Sequence, residues 1–123
     1  MKFLVLFFFF VSIVSAHGAE LKSDGNELLS KCGMAVRFAD GQTTMNSPSS
    51  YDVGFCYGLM RGIFALNELR ADKKDRYFCP PDGVTNSQAA RIVYKRLNDS
   101  PEILHFDESV VAIVALQMPF PCK

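Results

Sequence analysis

The hydrophobic positions of this chain form one continuous block followed by four spaced sets. Phe3 to Val14 is the block. Beyond it, Asp24-Gly-Asn-Glu27 offers a helix N-cap with a glutamate three residues on. Leu28, Leu29, Cys32 and Val36 follow at helical spacing and predict a first helix. Asp40 to Ser50 is polar, holds Gly41 and Pro48, and reads as a loop. A second helix is predicted over Tyr51–Leu69, with Val53, Cys56, Tyr57, Met60, Ile63 and Phe64 on one face. Arg70–Arg76 is a charged linker, and Cys79-Pro-Pro-Asp-Gly83 is a rigid turn by composition. Thr85-Asn-Ser-Gln88 is a capping box opening a third helix. Ala89, Ile92, Val93 and Leu97 form its apolar face, with Arg91, Lys95 and Arg96 outside it. Pro101 suits a new first turn, and a last helix is expected from a cap near Asp107 to Met118. Val110–Leu116 is apolar almost all round, which predicts the most buried element. Its β-branched content would also suit a strand, but its length and alanines favour helix. Pro119 and Pro121 end it.

The leading block has a different meaning. One positive charge at Lys2 precedes an apolar stretch of about 12 residues, short of the ~20 that span a bilayer as a helix. Val14-Ser15-Ala16 then supplies the small residues that a signal peptidase reads. Residues 1–16 are therefore expected to be a cleaved secretory signal, with an uncleaved anchor as the alternative. Residues 17–25 are a lead, and 26–122 form a single domain, since 123 residues leave room for one.

Export decides how the cysteines are read. Cys32, Cys56, Cys79 and Cys122 all survive cleavage, and four cysteines in a small exported domain read as two disulfides. A four-thiolate zinc site lacks the close cysteine pairs it usually needs. Three pairings are possible. The fold expected is all-α, a small four-to-five-helix bundle stapled by two disulfides.

Charge and chemistry narrow the function by exclusion. Lys and Arg number 13 against 13 Asp and Glu, so no basic excess exists to displace counterions from nucleic-acid phosphates. His105, Asp107 and Ser109 lie too close in sequence for triad geometry, and a capping Asp107 beside a partly buried His105 explains them better. Cleavage would expose His17 as an amino terminus, and with His105 it could bind copper, but only on a rigid scaffold. No cofactor and no catalysis are expected. Gly54, Gly58 and Gly62 recur every four residues, each costing ~1 kcal/mol against alanine inside a helix. Close packing inside the monomer is the expected reason, with a partner helix or dimer contact as the alternative.

The order of short motifs has a counterpart in a known family. Asn26-Glu-Leu-Leu-Ser-Lys-Cys32 is followed by Phe55-Cys-Tyr-Gly58 with Gly62, and then Phe78-Cys-Pro80. Gly83-Val-Thr85 with Gln88, Ser100-Pro-Glu102 with His105, and Phe120-Pro-Cys122 complete the series. In order and spacing this resembles the Rap/Tai immunity proteins of type VI secretion, from about Asn26 to Cys122. The resemblance implies a small helical periplasmic protein that occludes the cleft of a peptidoglycan-cleaving amidase effector and prevents self-lysis or lysis by sister cells. It also implies a homodimer. No membrane association is expected after signal cleavage. With helices running up and down, the pairing leans to Cys32–Cys56 and Cys79–Cys122. The loops 40–50, 70–76 and 98–102 are candidate contact segments, with Asp72, Lys74, Asp75, Asp99 and Glu102 the candidate partner-binding residues. A general periplasmic stress or chaperone module of similar build is the alternative function.

Overall fold

The computed structural model describes residues 23–44 and 49–123. The expected signal segment, His17 and the lead up to residue 22 lie outside these, as do residues 45–48 of the first loop. Four helices make the fold: α1 (Gly25–Ala39), α2 (Ser49–Glu68), α3 (Asn86–Asp99) and α4 (Glu108–Gln117). Short 3-10 turns occupy Lys73–Asp75 and Pro101–Ile103. Among the described residues the only β-type pairing is an isolated bridge between Asp24 and Asp107.

That bridge joins two helix starts. Asp24 Oδ1 accepts from Asn26 N at 2.9 Å and Glu27 N at 3.2 Å, satisfying donors that the first turn of α1 leaves open. Asp107 caps α4 in the same way, accepting from Ser109 N at 2.9 Å and Val110 N at 3.4 Å. Gly25 N donates to Phe106 O at 3.0 Å, and Glu108 N to Ser23 O at 3.4 Å. A Cβ at Gly25 would lie 2.9 Å from the Leu104 backbone, so only glycine lets the two starts meet this closely.

The core draws on all four helices. Leu28, Cys32 and Ala35 come from α1, Val53, Cys56 and Met60 from α2. Ala89, Ala90, Val93 and Leu97 come from α3, and Val111, Ala112, Ala115 and Leu116 from α4. The small residues of α3 let α1 approach, and Tyr94 lies against Gly33 where a Cβ would come within 2.9 Å of its ring. Thr85 and Gln88 form the expected capping box, with Gln88 N donating to Thr85 Oγ1 at 3.2 Å and Thr85 N to Gln88 Oε1 at 2.9 Å.

Both disulfides have the pairing towards which the sequence leans. Cys32–Cys56 ties α1 to α2 inside the core, and Cys79–Cys122 ties the linker to the C-terminal segment. Cys79 N also donates to Phe120 O at 2.7 Å beside the second bridge. The largest fully buried side chain is Phe78, which meets Phe64 edge-on at 5.1 Å between ring centres.

Helix α4 buries Val111, Ala112, Ala115 and Leu116, as large a share of its residues as any helix here, but on one side only. It forms as expected, yet it leaves Val110 51% and Val114 38% exposed. The bundle provides neighbours for one side of α4, and an apolar circumference cannot bury a side that nothing covers.

Candidate partner-binding surfaces

The charged linker is a shaped turn. Arg70 Nη1 donates to Asp75 O at 2.8 Å and Nη2 to Tyr77 Oη at 2.6 Å, while its guanidinium lies 4.0 Å over the Tyr77 ring centre. Arg76 Nε donates to Arg70 O at 3.3 Å. This leaves Asp72, Lys74 and Asp75 displayed on the surface, with Lys74 Nζ 3.9 Å from Asp72 in a loose, exposed pair. Beneath them Asn67, buried at the end of α2, holds the backbone of Tyr77 and Phe78.

Asp99 and Glu102 stand elsewhere. Asp72 to Asp75 lie in the segment between α2 and α3, whereas Asp99 is the last residue of α3 and Glu102 lies on the turn after it. Asp72, Lys74 and Asp75 thus share one turn, with Asp72 and Lys74 in contact. Lys95 Nζ donates to Asp99 Oδ2 at 2.7 Å, and that hydrogen bond holds the carboxyl below its ordinary range. Glu102 is exposed on the Pro101–Ile103 turn.

The first loop is fastened to α3. Arg91 donates to both oxygens of Asp40, at 2.6 and 3.3 Å, and lowers its pKa. Gly41 turns the chain there with φ 68°. Lys31 is nearly buried in the motif before Cys32. It pairs with Glu27 and lies 3.8 Å over the Phe55 ring and 5.3 Å over Tyr51. Burial is the largest single influence and disfavours its charge, but the Glu27 hydrogen bond together with electrostatic attraction to Glu27, Tyr51 and Glu108 outweighs it and raises the pKa. His105 is exposed and stacked on Phe106 at 4.0 Å, contrary to the partial burial expected, because its turn runs over the surface. Among the described residues no three metal-ligating side chains cluster.

The glycine row corrects a second expectation. A Cβ at Gly54, Gly58 or Gly62 would meet no atom within 4 Å. Among the described residues nothing packs against them within the monomer. At 100° per residue, Val53, Cys56, Met60, Ile63 and Asn67 define the buried side of α2, and the three glycines fall opposite it. Tyr51, Ala65 and Leu69 share that outer side, edged by Leu66 on one flank and by the exposed Arg61 and Glu68 on the other, with Leu66 66% and Leu69 79% exposed. Beside it runs a cleft of about 350 Å³ between Gly58, Gly62 and Leu66 on α2 and Ser109 and Ile113 on α4. Val110 and Val114, the next residues along α4, are the exposed valines noted above.

A second concavity follows the outer face of α3. One part, about 480 Å³, has Val84, Ile92 and Phe120 as its floor. The next, about 470 Å³, is lined by Ala115, Met118 and Pro119. Ile92 and Lys95 line both, so the two adjoin along α3.

Fold and surface together define a small disulfide-stapled helical module. The chain belongs to the family of Rap1a immunity proteins, whose model matches residues 24–122, from the Asp24 cap to the second bridge. No curated relative and no solved structure matches it. Membership carries an immunity role with a partner effector. No helix of the described residues is long and apolar enough to cross a membrane.

Proposed function

We propose that this protein is a periplasmic immunity protein of a type VI secretion system. It binds a peptidoglycan-cleaving amidase effector, covers the amidase cleft, and protects the cell from lysis by itself or its sisters. The match to the Rap1a immunity family over residues 24–122 carries this reading. The two disulfides support it, since they suit an oxidising compartment reached through cleavage of residues 1–16. Inhibition by occlusion needs no chemistry from the inhibitor. It needs a surface already in its bound shape, because a preorganised surface loses less entropy on binding.

The candidate contacts are Asp72, Lys74 and Asp75 on the linker turn, with Asp99 and Glu102 at the far end of α3. The linker turn has the stronger support, because Arg70, Tyr77 and Asn67 hold its backbone in one shape. Two copies of the protein pair through the outer side of α2, where the open glycine row would let a second helix come close.

A second reading has one observation in its favour. The exposed side of α2, with Leu66 and Leu69 on it, could also bind unfolded chains, as a periplasmic chaperone would. A capture experiment separates the two. The mature, disulfide-bonded chain is tagged and exposed to lysates of its own bacterium and of competitors. The immunity reading expects one small partner with amidase activity on peptidoglycan, silenced at equal stoichiometry. Many unrelated clients with no preferred partner would replace it with the chaperone reading.

A further inference from the structure

The groove along α3 is a third surface, distinct from the linker turn and from the glycine side of α2. We propose that it docks an extended polypeptide segment of apolar side chains flanked by carboxylates, and that such a segment of the effector occupies it. The identity of that partner rests on the immunity reading; the chemistry of the groove does not.

The floor sets the first requirement. Val84, Ile92 and Phe120 in one half and Ala115, Met118 and Pro119 in the other offer almost only apolar surface. Met118 is 66% exposed, so covering it removes apolar area from water. A polyphosphate or a sugar would gain little from such a floor, whereas leucine or phenylalanine side chains would gain much. Length sets the second. From Gln88 to Asp99 the groove follows about 16 Å of helix, which matches about five residues of extended chain.

Charge sets the third. The groove carries three cations, Arg91, Lys95 and Arg96, against one carboxylate, Asp99. Arg91 and Lys95 are engaged by Asp40 and Asp99, but the partners are 36–77% exposed at their side chains. Exposed pairs of this kind are held weakly, so an incoming carboxylate can take either cation at little cost. Arg96 is half-buried and its Nε has no hydrogen-bond partner among the described residues. An acidic segment is thus complementary in sign, and a basic one is not.

The test uses the mature, disulfide-bonded protein and two probes, acetyl-Asp-Phe-Glu-Leu-Asp-amide and acetyl-Lys-Phe-Lys-Leu-Lys-amide. Titration is followed by amide chemical shifts. The acidic peptide is expected to shift Val84, Gln88 and Ile92 saturably, and the basic peptide to leave them unmoved. Lys95→Glu, at an exposed position, should weaken the acidic peptide at least tenfold while lowering the thermal midpoint only slightly, since the Lys95–Asp99 pair it breaks is exposed. No saturable shift at α3, equal binding of both peptides, or indifference to Lys95→Glu would overturn the proposal. The effector found by capture is measured in parallel. Equal affinity for wild type and Lys95→Glu would remove that effector from the groove and leave the immunity reading intact. Acidic peptide seated in the groove, with no effector bound at all, would do the reverse.

Discussion

Asn67 and Phe78, eleven residues apart, are joined at both ends of the Phe78 backbone unit. Asn67 Nδ2 donates to Phe78 O at 2.7 Å, and its Oδ1 accepts from Phe78 N at 3.4 Å and Tyr77 N at 2.9 Å. Both side chains are fully buried. The last turn of α2 thus decides where the linker re-enters the core, and with it where Cys79 meets Cys122. The displayed turn with Asp72, Lys74 and Asp75 hangs from the same anchor.

Replacing Asn67 by alanine strands a buried carbonyl and a buried N–H. Each unsatisfied group costs about 1–3 kcal/mol, so Asn67→Ala should destabilise by about 2–4 kcal/mol. For a domain of this size that is a fall in Tm of more than about 10 °C. Asn67→Asp keeps the acceptor but loses the donor to Phe78 O, and it should also be destabilised. Calorimetry checks both, and a Tm for Asn67→Ala within about 3 °C of wild type would contradict the anchoring role.

Much of this architecture is written in local sequence. Asp24, Thr85 with Gln88, and Asp107 sit at helix starts as their types and spacings predict, because capping depends on neighbours a few residues away. Asn67 was harder to see. Its signal is a polar residue on the buried stripe of Val53, Cys56, Met60 and Ile63, and its partner lies across a turn that no periodicity describes. The valines exposed on α4 were illegible for a different reason: a helix's own pattern does not count its neighbours. The outward glycine row was readable, since the same 100° step that buries Val53 turns Gly58 away. For the candidate contacts, the sequence shows polar loops, but the distance between Asp75 and Asp99 is a property of the bundle. Asp40 meets Arg91 through tertiary packing alone.

The two disulfides should differ in their response to reductant. Cys32 and Cys56 are fully buried in the core, whereas Cys79 and Cys122 are partly exposed. Thiol attack needs access to sulfur. Under native conditions a mild reductant followed by alkylation should label Cys79 and Cys122 first, read by peptide mass spectrometry. Simultaneous labelling of Cys32 and Cys56 would show that reduction proceeds through global unfolding. In the chain-entropy model, bridges of 24 and 43 residues' separation contribute about 3–4 kcal/mol each, so Cys79→Ser with Cys122→Ser should lower Tm substantially.

Acid should weaken the fold through three carboxylates. Hydrogen bonds from Arg91 to Asp40, from Lys95 to Asp99 and from Lys31 to Glu27 lower their pKa values from the ordinary 3.8, 3.8 and 4.5. A carboxyl with a lowered folded-state pKa contributes stability above its unfolded value. That contribution is lost as pH falls through the folded one, because the unfolded chain takes up protons first. Stability should therefore be level near neutrality and decline from about pH 5 downwards. Asp40→Asn should be less stable than wild type at neutral pH, and the gap should close towards about pH 3. A gap that widens on acidification would contradict the Arg91–Asp40 assignment.

The glycines make opposite predictions from the same substitution. At Gly58 and Gly62 an added methyl enters open space, and neither has a positive φ. Alanine there should stabilise the monomer by about 0.5–1 kcal/mol at each position, through lower chain entropy in the unfolded state. At Gly25 the methyl would meet the Leu104 backbone at 2.9 Å, so Gly25→Ala should destabilise by about 1–3 kcal/mol. Gly33→Ala should cost less than Gly25→Ala, because the obstacle at 2.9 Å is a Tyr94 ring edge that can shift. If two copies pair through the row, Gly58→Ala and Gly62→Ala should also separate stability from association. Thermal unfolding of dilute protein should show a higher Tm, while sedimentation at higher concentration shows weaker self-association. A lower Tm for these two variants at dilutions where wild type is monomeric would mean that the row is covered within the monomer after all.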